Sequence, residues 1–196
     1  MKKSTIILLS VVGVLLLLAG LCVSTYNGLV TKDETVSEKW GAVQTVYQRR
    51  ADLIPNLVNT VKGYAAHEAS TLQAVTDART HATSINIDPA TATPEEMQAW
   101  MDAQQELSKS LGRLIAVAES YPELKASENF LALQSQLEGT ENRISVERQR
   151  YNEAVKAFNK RVVTFPNNIF AGIFGFSVKE FFSAQQGADV APVVQF

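Results

Sequence analysis

Between Ile6 and Val23 the chain runs for eighteen residues without a charge. Coiled as a helix rising 1.5 Å per residue, that run is about 27 Å long, close to the ~30 Å hydrocarbon core of a bilayer. A segment in lipid finds no water for its N–H and C=O groups, so it must satisfy them internally as a helix. Lys2 and Lys3 precede the run and Lys32, Asp33 and Glu34 come after it. This basic bias puts the N-terminus in the cytoplasm and everything beyond Thr25 outside. A cleaved signal peptide and a lipoprotein signal are the competing readings of such a run. It is longer than a usual signal core, no A-x-A pattern closes it, and "LAGLC" has Leu21 where a lipobox carries a small residue. The expectation is a retained anchor, residues 1–26, with Ile6, Leu9, Val14, Leu18 and Val23 among its lipid-facing side chains.

Beyond the anchor the chain is long enough for one domain and one core. Eighteen basic against twenty acidic residues leave a formal net charge of -2. No global field draws such a chain to DNA or RNA, so nucleic acid is excluded as a partner. The single cysteine, Cys22, lies inside the apolar run, which rules out a disulfide framework and a multi-cysteine metal site.

Apolar or small residues recur at Val36, Trp40, Val43, Tyr47, Ala51, Ile54, Val58, Val61 and Ala65, in steps of three and four that describe one helix seam. Pro55 interrupts the seam without resetting it: it removes the bond to the carbonyl of Ala51 and predicts a kink. Gly63 and His67-Glu68 supply an end, after which Leu72, Val75 and Arg79 continue as a shorter helix. "TSINIDPATATP" is a loop. Thr93-Pro94-Glu95-Glu96 then reads as a capping box, opening a helix with Met97, Trp100, Gln104, Leu107, Leu111, Leu114 and Ala118 on its buried face. The last long helix starts near Ser127 and stops at "TFPNN", with Phe130, Leu133, Leu137, Glu141, Ile144, Arg148, Tyr151, Val155, Phe158 and Val162 in its seam. The fold class expected is all-α: a transmembrane helix, then an antiparallel four-helix bundle over residues 27–164. The alternative is a three-helix bundle whose first helix runs unbroken through residues 32–83. Residues 165–196 form a phenylalanine-rich tail packed on the bundle or at the membrane interface, with Phe165, Phe170, Phe174 and Phe176 as interfacial candidates.

Catalytic patterns are missing. Neither histidine has a glutamate three residues before it, so a carboxylate-bridged metal bundle has no ligand set. His67-Glu68 is trailed by Thr71 where a zinc protease would need its second histidine. No nucleophile elbow and no phosphate-cradling glycine loop occurs. No cofactor is expected. The charges around the kink have an architectural reading instead: a polar layer in which Arg50 meets Glu141, with Asp52, Asn142 and Arg148 contributing, since an unpaired charge on a seam is costly.

Taken in order, "YNGLV", "VQTVYQRRADLIPNLVNTVKGYAAHE", "AVTDAR", "YPELKASENFLALQSQLEGTENRISVERQRYNEAVKAFN", "FPNNIFAGIFGF" and "APVVQF" make a sequence that resembles the bacterial LemA family along nearly its whole length. The tail departs from the commonest form by being less charged. The resemblance implies an anchored helical bundle without an established enzymatic activity. It also implies occurrence beside membrane zinc proteases, and kinship with a membrane-shaping magnetosome component. The function expected is therefore non-enzymatic: a single-pass protein of the bacterial cytoplasmic membrane with an extracytoplasmic scaffold or interaction domain. The bilayer, a second copy of the chain, and a membrane protease or another envelope protein are the expected partners. A sensor or ligand-binding module built on the polar layer is the alternative.

Overall fold

The computed structural model describes residues 3–89 and 91–182, and among these every regular element is a helix. Helix α1 (Lys3–Tyr64, 62 residues) carries the apolar N-terminal run and the first seam without a break between them. It is long and apolar enough to cross a membrane; its most apolar 18-residue window has a mean hydropathy of 3.1 and no buried residue. Ile6, Leu9, Val14, Leu18 and Val23 are all exposed, the state in which a lipid solvent would find them. Burial begins at Thr25 and Leu29, and from there it follows the predicted stripe at Val36, Trp40, Val43, Tyr47, Ala51, Ile54 and Val61, except that Leu57 is buried and the expected Val58 only half-buried.

Helix α1 ends at Tyr64, so the unbroken rod through residue 83 does not form. Ala65–Glu68 make a turn, with Glu68 N–H bonding to the Ala65 carbonyl, and α2 (Ala69–Ser84) folds back along α1. Pro55 faces solvent inside α1. The carbonyl it deprives, that of Ala51, instead accepts Arg79 Nε from α2 at 2.8 Å. A proline that costs one rung of the first helix thereby creates a docking point for the second.

Helix α3 (Pro94–Ala118) opens with the capping box: Thr93 Oγ1 accepts from Glu96 N–H, and the Glu96 carboxylate accepts from Thr93 N–H. A single helical turn, α4 (Pro122–Lys125), breaks the expected tight turn between α3 and the next long helix. Helix α5 (Glu128–Val163) then descends along the part of α1 beyond the apolar run, with Glu141 beside Arg50 and Arg161 beside Gly28. A short α6 (Asn167–Phe174) lies at the foot of the structure. The core has two parts. The distal cluster joins α1, α2, α3 and α5 around Ile54, Leu57, Leu107, Leu114 and Leu137. The proximal cluster, around Leu29, Trp40, Trp100, Tyr151 and Phe158, is roofed by residues of the tail.

Candidate functional site

Two sites stand out, one where these clusters meet and one within the proximal cluster. The first is centred on Arg50, whose residue surface is 1% exposed. Its Nη1 donates to Glu141 at 2.9 Å and to Ser108 Oγ at 2.7 Å, and its Nη2 donates to Gln104 Oε1 at 2.6 Å and the Gln104 carbonyl at 3.3 Å. Gln104 Nε2 in turn donates to the Ala82 carbonyl at 3.0 Å. One guanidinium thus ties together α1, α3 and α5, and Gln104 extends the link to the end of α2. The planar fork of arginine suits this, because two nitrogens can serve several acceptors at once. The cation also lies 5.0 Å from the centre of the Tyr47 ring, and burial holds the Tyr47 hydroxyl above the ordinary tyrosine range.

Of the residues expected in this layer, Arg50 and Glu141 are in direct contact. Arg148 sits one level lower, its guanidinium carbon 4.9 Å from the Phe182 ring and its charge acting on Tyr47. Asp52 and Asn142 do not belong to it: both face solvent, and Asp52 accepts from Gln48 at 2.7 Å on the outer face of α1. The reason is helical phase. Two residues turn a helix by about 200° and one residue by about 100°, so Asp52 and Asn142 point away when Arg50 and Glu141 point in. Among the described residues, no group of three or more His, Cys, Asp or Glu side chains could hold a metal ion.

The second site is a groove between α1 and α5 filled by the chain's own tail. Gly175, at a φ of 77°, ends α6 in the left-handed conformation, and Phe176 N–H returns to the Ala171 carbonyl at 2.9 Å. This turn sends residues 176–182 back along α5 without regular secondary structure. Two asparagines of α5 grip the strap by its backbone. Asn159 accepts from Lys179 N–H and donates to its carbonyl, both at 2.8 Å. Asn152 does the same for Phe182, at 2.8 and 3.0 Å. The spacing explains the fit: seven helical residues and three extended residues both span about 10 Å.

The side chains of the two clamped residues fill matching pockets. Lys179 Nζ lies 2.6 Å from Asp33 Oδ1 and 5.2 Å from the Phe158 ring centre. Phe182 inserts among Trp40, Trp100 and Tyr151, with centroid distances of 5.8, 5.9 and 5.1 Å. Burial raises the Tyr151 phenol well above its usual value. Sequence reasoning misses this strap. The available signal is Asn152 and Asn159, two amides a heptad apart beside the apolar stripe of α5, where a packed apolar neighbour would leave them without partners.

The expected interfacial phenylalanines also sort differently. Phe165 is 76% exposed. Phe174 packs edge-on against Tyr26 at 4.9 Å, and Phe176 sits 6.1 Å from Tyr26 and 6.2 Å from Phe158. Phe170 is half-buried. Phe170 and Phe174 are drawn inward because α6 presents one face to α1 and α5 while its free face carries Ile169 and Ile173, and Phe176, past the end of α6, is brought inward by the turn at Gly175. The closing "APVVQF" lies outside the described residues.

Fold and sites together define an all-helical protein carried on a long apolar N-terminal helix. The LemA family model matches residues 39–196, and the chain belongs to the LemA family. Magnetosome protein MamQ 2 of Paramagnetospirillum magneticum is 28% identical over 206 residues, covering 96% of this chain and 75% of the relative. Magnetosome protein MamQ of Magnetospirillum gryphiswaldense is 25% identical, covering 86% of this chain and 68% of the relative. Protein LemA of Metamycoplasma hominis is 26% identical, covering 74% and 63%.

Proposed function

We propose that this chain is a non-enzymatic, single-pass protein of the bacterial cytoplasmic membrane, its N-terminus inside, whose antiparallel four-helix bundle serves outside as a scaffold that associates with further copies of itself. The observation that carries the reading is the state of Arg50. Its guanidinium is turned inward and engaged by Glu141, Ser108 and Gln104, which is how a layer that fixes helix register is built rather than one that waits for a ligand. The relatives' names, magnetosome protein and LemA, denote no reaction. Large apolar side chains left open at the distal end of the bundle, Leu131 on α5 and Tyr64 on α1, offer contact points for a second copy. The test is the mass of the purified full-length protein in detergent: a defined assembly of several copies is expected, and a strict monomer at every concentration would overturn the self-association.

A ligand-binding role has one observation in its favour, a surface cleft of about 310 Å³ beside the layer, bordered by Gln44, Gln48, Asn86 and Trp100. A small polar molecule that raises the melting temperature of the wild-type chain, but not of a Gln48→Leu, Asn86→Leu variant, would establish that reading in place of the scaffold.

A further inference from the structure

We propose that α6 and Phe165 form a second, in-plane membrane contact, resting on the phospholipid headgroup and upper acyl region beside the point where α1 leaves the bilayer. The proposal rests on the reading of α1 as a membrane span and adds a surface that this reading does not contain.

Position is the first support. Asn167, at the start of α6, has its side chain 3.3 Å from Thr25 Oγ1, and Phe174, at its end, packs on Tyr26. The two ends of α6 are seven residues, about 10 Å, apart, yet they touch consecutive residues of α1, about 1.5 Å apart along its axis. Both ends of α6 are thereby held at one level of α1, that of Thr25 and Tyr26. Thr25 is only two residues past Val23, about 3 Å along the helix, whereas the polar zone on each side of a bilayer is about 5–7 Å deep. A helix about 10 Å across at this level cannot avoid the headgroups.

Surface chemistry is the second support. Ile169 and Ile173, one turn apart on α6, are 53% and 70% exposed, and Phe165 is 76% exposed. They are not a leftover of poor packing: on the opposite face of the same helix Ala171 is buried and Phe174 is seated on Tyr26. A short helix with one face packed and the other bare and apolar suits an interface between water and hydrocarbon. The charges agree. Lys160 is exposed, and the Arg161 guanidinium lies against Gly28, where an added Cβ would approach it to 2.5 Å. Both lie about one turn before Phe165, at the level of lipid phosphates, toward which basic groups are drawn.

The test uses the full-length chain in phosphatidylcholine–phosphatidylglycerol vesicles. In a Cys22→Ser background, single-cysteine variants Ile173→Cys, Leu15→Cys and Val146→Cys each carry an environment-sensitive fluorophore. Lipids with a quencher near the headgroup, and iodide in the water, report where each label lies. The label at residue 173 is expected to be quenched by the shallow lipid probe and shielded from iodide several-fold relative to the label at residue 146. Iodide accessibility at 173 equal to that at 146, with 15 still buried in lipid, overturns the second contact and leaves the anchor standing. Iodide access at 15 as well overturns both.

Discussion

The ion pair between Arg50 and Glu141 is lopsided, and that asymmetry sets a sharp expectation. The Arg50 side chain is 2% exposed and that of Glu141 is 42% exposed, with 2.9 Å between the charged atoms. Replacing Glu141 by leucine strands a cation that water cannot reach, a situation that costs about 3–5 kcal/mol when a buried pair is broken. Gln104 and Ser108 still hold the guanidinium, so a loss of about 3 kcal/mol is expected, at the low end of that range. Replacing Arg50 by methionine is milder: the Glu141 carboxylate rotates into solvent, Gln104 keeps its bond to Ala82, and the methionine side chain fills apolar space. The loss there is the hydrogen bonds less the gain in apolar packing, roughly 1–2 kcal/mol. At about 2–4 °C per kcal/mol for a domain of this size, Glu141→Leu lowers the melting temperature by about 6–12 °C and Arg50→Met by about 2–8 °C. The double variant should recover, with a coupling energy of about 2 kcal/mol. Thermal melts of the four proteins, monitored by circular dichroism in one detergent, measure this directly. If Arg50→Met proves the more damaging change, or the two losses simply add, Glu141 does not balance the buried charge and the register-fixing role of the layer is refuted.

The strap and the tyrosines give further expectations. Asn152→Ala removes both partners of the Phe182 backbone and should cost about 1–3 kcal/mol; limited proteolysis should then cut within residues 176–182 faster than in the wild type, and equal rates would contradict the clamp. Gly175→Ala forces a side chain into a φ of 77°, a strain of about 1–2 kcal/mol, and should likewise loosen the strap while leaving the Arg50 layer intact. Tyr47 and Tyr151 both keep their protons above the ordinary tyrosine value of 10.0, chiefly because they are buried. Unfolded chains release those protons near that value while folded chains retain them, so stability should fall as pH rises beyond about 10. Melts against pH should show this decline, and Tyr47→Phe, Tyr151→Phe should flatten it.

The parts of the fold legible in the sequence are those governed by a single repeating constraint. The apolar stripe of α1, the Thr93–Glu96 cap and the end of the first helix near Gly63 each come from local spacing, because burial of one helix face recurs every three or four residues. The meeting of Arg50 with Glu141 is legible from need: a cation on a seam and a carboxylate on another seam have few other places to go. Asp52 and Asn142 are misplaced by the same reasoning, because proximity along the chain does not override helical phase. The strap is illegible for a different reason. An extended segment held by asparagine side chains has no periodicity of its own, and its register is written on α5, not on residues 176–182. Arg79 has a similar hidden role, since the carbonyl it caps is vacated by a proline on another helix.

The manner in which α5 holds the strap has an evolutionary consequence. Asn152 and Asn159 grasp main-chain atoms, which every amino acid except proline supplies alike. Only Lys179 and Phe182 are read by shape and charge, through Asp33 and the ring cage, while Ser177, Val178 and Phe181 stay open to solvent. Substitutions can therefore accumulate at those three open positions without loosening the tail, so long as its length between the two asparagines stays the same.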